Sequence, residues 1–562
     1  LLSAHLARVP GDVASAKMLG HLLIDAGDAA GAALHLGRGA RVRPRDGELQ
    51  FLLGDSLVKL GRFEEAKAAF ELSIAHAPHE PLASGGLSRC LLELGDAAGA
   101  VEVCREAVRI NPQHPDAHRV LTTALVTLLR QRAGVEVVVG GLQQAGEDPL
   151  LLEAAVYAMN VADGATGSDL LAMHRRLALA ACPPVGRLPA SFARDRDPHR
   201  PLRVGFLSCD FKHHSCAYFL EGPLAAMDRS RITPILYSTT RGQDEVTQRF
   251  RNMSEFHDFA GTRAEEMAAA IDRDTIDVMV DLCGWTARSH MRFLAQRVAP
   301  VQIAYLGYPN TTALPAMDFR IVDAITDPPG AEAHCTERLI RLPRCFVSFR
   351  PDPAWPAVSP PPHTRDGIVT FGSFNHIKKV GERTIDLWAS ILSRVPRSRL
   401  LLKSLDMPGA VVEEILARMA TRGIDAARID VVPYQPDRHQ HIALYERVDI
   451  ALDSYPYNGT TTTCEALWMG VPVVTLAGDQ HRARVGASLL TSIGLPELVA
   501  ADEAAYVSIA ESLAANEPRM RSYRESIRAR MAASPILDAA SMAEAIEHAV
   551  RQAWSAFCAG TL

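Results

Sequence analysis

No apolar run in the 562-residue sequence approaches the ~20 residues of a membrane span. The opening LLSAHLARVP lacks the pattern of a signal peptide, and a chain starting at Leu1 rather than Met leaves its targeting open. There is no basic excess: the net charge is −6, so neither a nucleic acid nor an anionic membrane surface is an expected partner. No C-x-x-C pair occurs among the ten cysteines, so a zinc site is not expected. Scattered thiols of this kind read as small apolar groups in a reducing compartment, and a cytoplasmic location is expected. G-x-S-x-G and Walker sequences are missing too, which leaves serine-hydrolase and P-loop chemistry unsupported.

What is present is globular in composition, 48% hydrophobic and 22% charged, at a length that suits about three to five domains. The first part repeats. Pro10, Pro44, Pro78 and Pro112 share a period of 34 residues with Gly27, Gly61 and Gly95, and with Ala32, Ala66 and Ala100. The unit is two amphipathic helices with Gly ending the first, a small Ala at the helix contact and Pro closing the second. That period is the tetratricopeptide signature. After Pro112 the period slips to a longer copy ending near Pro149, and two further helices follow without the signature. A stack of such repeats forms a groove suited to extended peptide. The alternative is that the repeats serve only as a homodimer or docking surface.

A Pro- and Arg-rich stretch, residues 182–201, reads as a linker. Beyond it strands and helices alternate: LRVGFLS, ITPILYST, IDVMVDLCG, APVQIAYLGYP and FRIVDAITD are strand-like, with helical segments between. A second Pro-dense stretch, residues 350–367, leads into a further alternating series from IVTFGSFN to VPVVTLAG, then a helical tail. Alternation of this kind predicts two parallel α/β sheets with both faces covered. A ligand would sit beyond the carboxyl ends of their strands.

Four clusters follow strand ends. The most informative is DIALDSYPYNGTTTTCEALWMG, residues 449–470: a strand, a turn through Gly459, four threonines (Thr460 to Thr463) and a helix. Hydroxyls at a helix start cap first-turn amides, and those amides attract phosphate. Upstream, Gln435, Pro436, Arg438 and His441 form its partner loop. Arg438 could grip a diphosphate by two parallel bonds, and Glu465, one turn into the helix, could accept from ribose hydroxyls. A second cluster, Asp210 to Ser215, contains His214, a candidate base or sugar contact. A third, Gly307 to Thr312, offers Tyr308, Pro309 and the Thr311 and Thr312 hydroxyls, read as facing the cleft. A fourth, Ser373 to Lys379, offers Asn375, His376 and a lysine to meet phosphate, with spacing leaving Lys378 and Lys379 equivalent. Asp195-Arg196-Asp197 and Asp272-Arg273-Asp274 spell D-x-D, but neither follows a strand end. Both read as solvated charge, and no metal is expected.

Repeats followed by these two series resemble the protein O-GlcNAc transferase family. APVQIAYLGYPNTT, FGSFNHIKK and LDSYPYNGTTTTCEALWMGVPVVTLAG carry the likeness. It implies a tetratricopeptide superhelix followed by a two-lobed GT-B glycosyltransferase of two Rossmann-like domains. It also implies inverting, metal-independent and cofactor-free transfer of N-acetylglucosamine from UDP-GlcNAc to Ser or Thr of proteins held along the repeat groove. By position it implies His214 as the essential histidine and Lys379 as the group that neutralises the leaving diphosphate. Arg438 and His441 then lie at the uridine, Thr461 and Thr462 at the phosphates, and Glu465 at the ribose in place of an aspartate. Thr460 stands where the animal enzymes have His, and Lys212-His213 replace Gly-Asn. PYNGTTTTCEALWMGVP also resembles the SPINDLY branch, which implies GDP-fucose as the alternative donor; a non-catalytic repeat scaffold is the other alternative. The expected boundaries are repeats 1–149, helical extension and linker 150–200, first lobe 201–350, linker 351–366, nucleotide-sugar lobe 367–535 and terminal helix 536–562.

Overall fold

The structure is a computed structural model describing residues 2–9, 11–182, 195–286, 289–405 and 407–562. Pro10 and most of the first linker, residues 183–194, lie outside the described residues. The chain divides into two compact units: Leu1–Asp163, His376–Ile385 and Leu405–Ala426 form one, and Gly164–Asn375, Asp386–Ser404 and Ala427–Leu562 the other.

In the first unit the 34-residue period becomes helix pairs: Val13–Asp25 with Ala29–Val42, Gly47–Lys59 with Phe63–His76, and Leu82–Glu93 with Ala97–Ile110. Gly27, Gly61 and Gly95 all take positive φ just past the first helix of each pair, where a side chain would be strained. Ala32, Ala66 and Ala100 are fully buried at the helix contacts. Asp28 and Asp96 cap the second helices of their pairs by accepting from Gly31 and Gly99 amides. The degenerate copy forms helices Pro115–Thr127 and Gln131–Ala145, and Pro149–Val161 packs on both. Helix Pro149–Val161, in the expected helical extension, groups with the repeats by contact, and the next helix, Gly167–Ala181, belongs to the other unit.

Two segments expected in the nucleotide-sugar lobe group instead with the repeats. Ala410, on helix Gly409–Thr421, is buried in the same apolar core as Leu87, Leu91 and Val120. Arg130 pairs with Glu414 at 3.1 Å. Gln131 Nε2 donates to the Val380 carbonyl at 3.0 Å and the Lys378 carbonyl at 3.3 Å, pinning the short turn Ile377–Lys379.

The second unit contains two all-parallel sheets. The first comprises β1 (Leu202–Ser208), β2 (Ile232–Ser238), β3 (Glu255–Asp258), β4 (Val278–Asp281), β5 (Val301–Ala304), β6 (Phe319–Asp323) and β7 (Arg338–Leu342), ordered β3-β2-β1-β4-β5-β6-β7. The second comprises β8 (Val369–Ser373), β9 (Ser398–Lys403), β10 (Ile429–Val432), β11 (Ile450–Leu452), β12 (Val473–Leu476) and β13 (Val499–Ala500), ordered β10-β9-β8-β11-β12-β13. The reversal beside β1 and beside β8 is the Rossmann-like switch point. Most of the strands are buried apolar runs, as two-sided parallel sheets require.

The terminal helix Ala539–Cys558 crosses back to the first sheet. Met542, Ile546, Val550, Trp554 and Phe557 enter the core built on β1, β4 and β5. Polar contacts join the lobes as well: Ser488 donates to Asp323 at 2.6 Å, and Arg484 Nε to the Ile325 carbonyl at 2.6 Å. Asp327 receives both His481, at 2.5 Å, and Arg320, at 3.3 Å. Burial alone would raise the Asp327 carboxyl, but contact with His481 and the Arg320 charge hold it well below its usual range.

Candidate active site

The threonine stretch forms as expected in outline. β11 ends at Leu452, a buried loop follows, and the helix is Thr461–Trp468. Asp453 organises the loop. Its Oδ1 accepts from the amides of Ser454 (2.9 Å) and Gly459 (2.7 Å) and from Asn375 Nδ2 (3.1 Å), while Oδ2 accepts from Thr475 (2.8 Å). Thr462 donates to Asn375 Oδ1 at 2.6 Å, so β8 and the loop are tied twice through one amide side chain. Gly459 is required by close approach: a Cβ there would stand 2.4 Å from the Thr462 hydroxyl and 2.5 Å from Asn375 Oδ1.

The capping expectation needs correction. Thr460 is the N-cap residue, but its side chain makes no cap bond, and its φ of −108° and ψ of −70° depart from the extended backbone of a capping threonine. Thr463 bonds back to the Gly459 carbonyl at 3.1 Å instead. The first-turn amides therefore lack a side-chain acceptor at the cap, which suits an incoming anion better than a capped end would.

Beside this turn lies an array around Glu465, which is 1% exposed. Arg438 Nη2 donates to Oε1, while His441 Nε2 (3.0 Å) and the Tyr445 hydroxyl (3.2 Å) reach Oε2. Burial pushes the Glu465 carboxyl up, but the Arg438 charge and the His441 bond outweigh it, and the net shift is downward. The Arg438 guanidinium lies over the rings of Tyr218, at 4.9 Å, and Trp355, at 5.3 Å. Phe374 packs on Tyr445 at 4.6 Å and on His441 at 6.0 Å. Among the described residues Arg438 Nε and His441 Nδ1 are buried without a hydrogen-bond partner, so the array has one donor and one acceptor to spare. Glu465 differs from the expected open ribose acceptor: it is enclosed, and a ribose hydroxyl would have to displace Arg438 from it. Arg438 likewise holds Glu465 rather than standing open to a diphosphate. Gln435 bonds to the Pro433 carbonyl at 3.1 Å, and Pro436 is exposed.

His214 ends the loop after β1 and is the N-cap of helix Ser215–Ala226, with Nδ1 accepting from the Cys216 amide at 3.3 Å. Asp210 Oδ2 lies 3.4 Å from the same nitrogen. Burial lowers the imidazole's pKa more than Asp210 raises it, which favours the neutral ring. With Nδ1 accepting, the neutral ring carries its proton on Nε2.

The Gly307 to Thr312 cluster divides. The Tyr308 hydroxyl contacts buried His174 Nε2 at 2.7 Å, and His174 Nδ1 bonds to the Leu170 carbonyl at 2.6 Å. Burial drives this histidine's pKa down to about 4. Pro309 lines a cavity of about 30 Å³ together with Asn310, Arg320 and His481. Thr311 and Thr312, by contrast, do not face a cleft. Both are fully buried, and both hydroxyls bond to Glu337, Thr311 at 2.5 Å. A buried carboxylate demands such donors, so this pair is structural. His376 accepts from the Lys378 amide at 3.3 Å, and both it and Lys379 are half-buried in the first unit.

Two residues carried no sequence signal. Asp453 sits inside the threonine stretch, but its role depends on Thr475 and Asn375 far along the chain. Lys403, at the end of β9, is 7% exposed, lies 5.2 Å over the Tyr434 ring and is lowered in pKa by burial. Of the D-x-D pairs, Asp195, Asp197 and Asp272 are exposed, whereas Asp274 accepts from Tyr237 at 2.7 Å and groups with Glu255 and His257. Asp210, His214 and Cys216 also bring donor atoms within 4.8 Å of one another, close enough to hold a metal.

The profile of glycosyl transferase family 41 matches residues 159–350 and 363–546, and a tetratricopeptide repeat profile matches residues 17–72 and 51–115. The Arabidopsis thaliana protein named "Probable UDP-N-acetylglucosamine--peptide N-acetylglucosaminyltransferase SPINDLY" is 40% identical over 371 residues, 65% of this chain and 41% of that protein. A second Arabidopsis protein, named with the same activity and the suffix SEC, is 27% identical over 64% of this chain and 38% of its own length. The chain thus spans about two fifths of the length of these curated relatives. A solved variant of the Thermobaculum terrenum O-GlcNAc transferase superposes with a TM-score of 0.81 at 29% identity, covering 98% of both chains. No helix among the described residues is long and apolar enough to cross a membrane.

Proposed function

Since the chain belongs to glycosyl transferase family 41, we propose that it transfers a sugar from a nucleoside diphosphate to Ser or Thr hydroxyls of proteins, with UDP-GlcNAc as donor and no metal in the transfer step. The observation that carries this is the juxtaposition at the carboxyl edge of the second sheet. An N-terminal turn free of a side-chain cap, bearing the Thr461 and Thr462 hydroxyls, adjoins the Arg438–Glu465–His441 array with its spare donor and acceptor.

The diphosphate oxygens would take the Thr461–Thr463 amides and hydroxyls, and the base would lie against Arg438 and His441. Fixed donors at the leaving group act where charge develops in the transition state. Lys379 has its part from the family resemblance and from its place four residues after Asn375. His214, whose Nε2 carries the proton, serves as a hydrogen-bond donor to a sugar or acceptor oxygen rather than as the base. Acceptor proteins would bind along the repeats.

The second reading, GDP-fucose as donor, is favoured by the higher identity to SPINDLY than to SEC. Thermal unfolding with UDP and with GDP separates the two, because a ligand of the folded state raises the midpoint. Stabilisation by UDP is expected. Stabilisation by GDP alone would overturn the donor assignment, and stabilisation by neither would overturn the enzymatic reading.

A further inference from the structure

We propose that Asp281, Cys283 and His290, assembled at the carboxyl end of β4, form a binding site for one divalent cation of the zinc class. A carboxylate oxygen, a thiol sulfur and an imidazole nitrogen lie within 4.8 Å of one another, and all three residues are buried. Two of the donors are unmet. Asp281 Oδ1 and His290 Nδ1 are 4.0 Å apart, too far for a hydrogen bond, and among the described residues neither has another partner. A buried polar atom left in this state is costly, so the gap calls for an occupant.

The remaining atoms of both residues are anchored. Asp281 Oδ2 accepts from the Gly284 amide at 2.6 Å, and His290 Nε2 is 2.7 Å from the Thr239 hydroxyl. Outer bonds of this kind orient metal ligands. The Cys283 sulfur accepts from the Cys209 amide at 3.4 Å, binding of the ion would release the Cys283 thiol proton, and Cys209 Sγ, at 3.5 Å, borders a fourth position. A mixed O, N and S set suits zinc rather than magnesium or calcium. Ligand bonds of about 2.0–2.3 Å would need the O···N separation to close to about 3.3 Å, a shift of a few tenths of an ångström from each side. The ion would sit under the strand ends from which the His214 loop departs, since Cys283 also groups with Cys209 and Asp210. The competing occupant is a bridging water, which a 4.0 Å gap would also admit.

Cobalt distinguishes the two, because a thiolate ligand gives a sulfur-to-cobalt charge-transfer band that a water site cannot. The full chain, stripped with chelator under reducing conditions, is titrated with Co²⁺ and back-titrated with Zn²⁺. One equivalent with the charge-transfer band, displaced by Zn²⁺, is expected. Cys283→Ser should abolish the band, His290→Gln should weaken binding at least tenfold, and His257→Gln, in the separate Glu255–His257–Asp274 group, should change nothing. Absence of the band in the unsubstituted protein overturns the site without recourse to any variant. So does its persistence in Cys283→Ser, or its loss in a folded His257→Gln protein.

Discussion

Replacing Arg438 by Met should destabilise the turn around Glu465 locally, and replacing Glu465 as well should restore much of the loss. Glu465 is buried, and Arg438 is its charge partner. Removing one member of such a pair strands the other, at a cost of about 3–5 kcal/mol in a fully buried case. Two features reduce this. The Arg438 side chain is 34% exposed, so its charge is already partly screened, and Glu465 retains His441 and Tyr445. We expect a loss of about 2 kcal/mol, which is roughly a 30-fold rise in local opening. In Arg438→Met/Glu465→Gln no charge is stranded, and the neutral amide keeps two partners, so about half the loss should be recovered. Hydrogen exchange of peptides spanning 438–447 and 461–468 reads the opening directly. Wild-type exchange in the single variant, or a double variant that opens faster than the single one, would refute the pairing argument.

Three further outcomes follow from the same contacts. Gly459→Ala should break the Thr462–Asn375 bond, at a cost of about 1–3 kcal/mol, and weaken UDP binding by calorimetry about tenfold or more; unchanged affinity would show that the loop tolerates the clash. His174 has a folded pKa of about 4 against 6.5 for the free group, so its contribution to stability is complete above about pH 6.5 and is lost as the pH falls towards 4. That amounts to about 3 kcal/mol across the window, and His174→Gln should flatten the pH dependence of the melting temperature there. Nucleotide entry that draws Arg438 off Trp355 should change tryptophan emission, and Trp355→Phe should remove that change.

The parts of the site that could be read from the sequence are local. Four threonines after a strand and a Gly place hydroxyls at a helix start whatever the rest of the chain does, and a 34-residue period carries its own helix contacts. Roles set by distant partners could not be read. Thr311 and Thr312 read as cleft hydroxyls because Glu337, which binds both, lies 26 and 25 residues on. Arg438 rests on Tyr218 from the first lobe and Trp355 from the linker, a floor assembled only by tertiary packing. The terminal helix carries an apolar face, but nothing in that pattern says which sheet it covers. Helix Gly409–Thr421 likewise shows its apolar stripe without showing that Ala410 joins the repeat core. β3 and β13 are short edge strands with too few residues for a period to declare itself.

The proposed transfer of N-acetylglucosamine from UDP-GlcNAc to protein adds a defined mass to the acceptor. Intact-mass spectrometry of an acceptor protein, incubated with the full chain and either UDP-GlcNAc or GDP-fucose, tests it most directly. The expected product is an added N-acetylhexosamine from UDP-GlcNAc, removed by hydroxyl-deleting substitution of both Thr461 and Thr462. A deoxyhexose added from GDP-fucose alone would contradict it, as would an N-acetylhexosamine added undiminished without those two threonines.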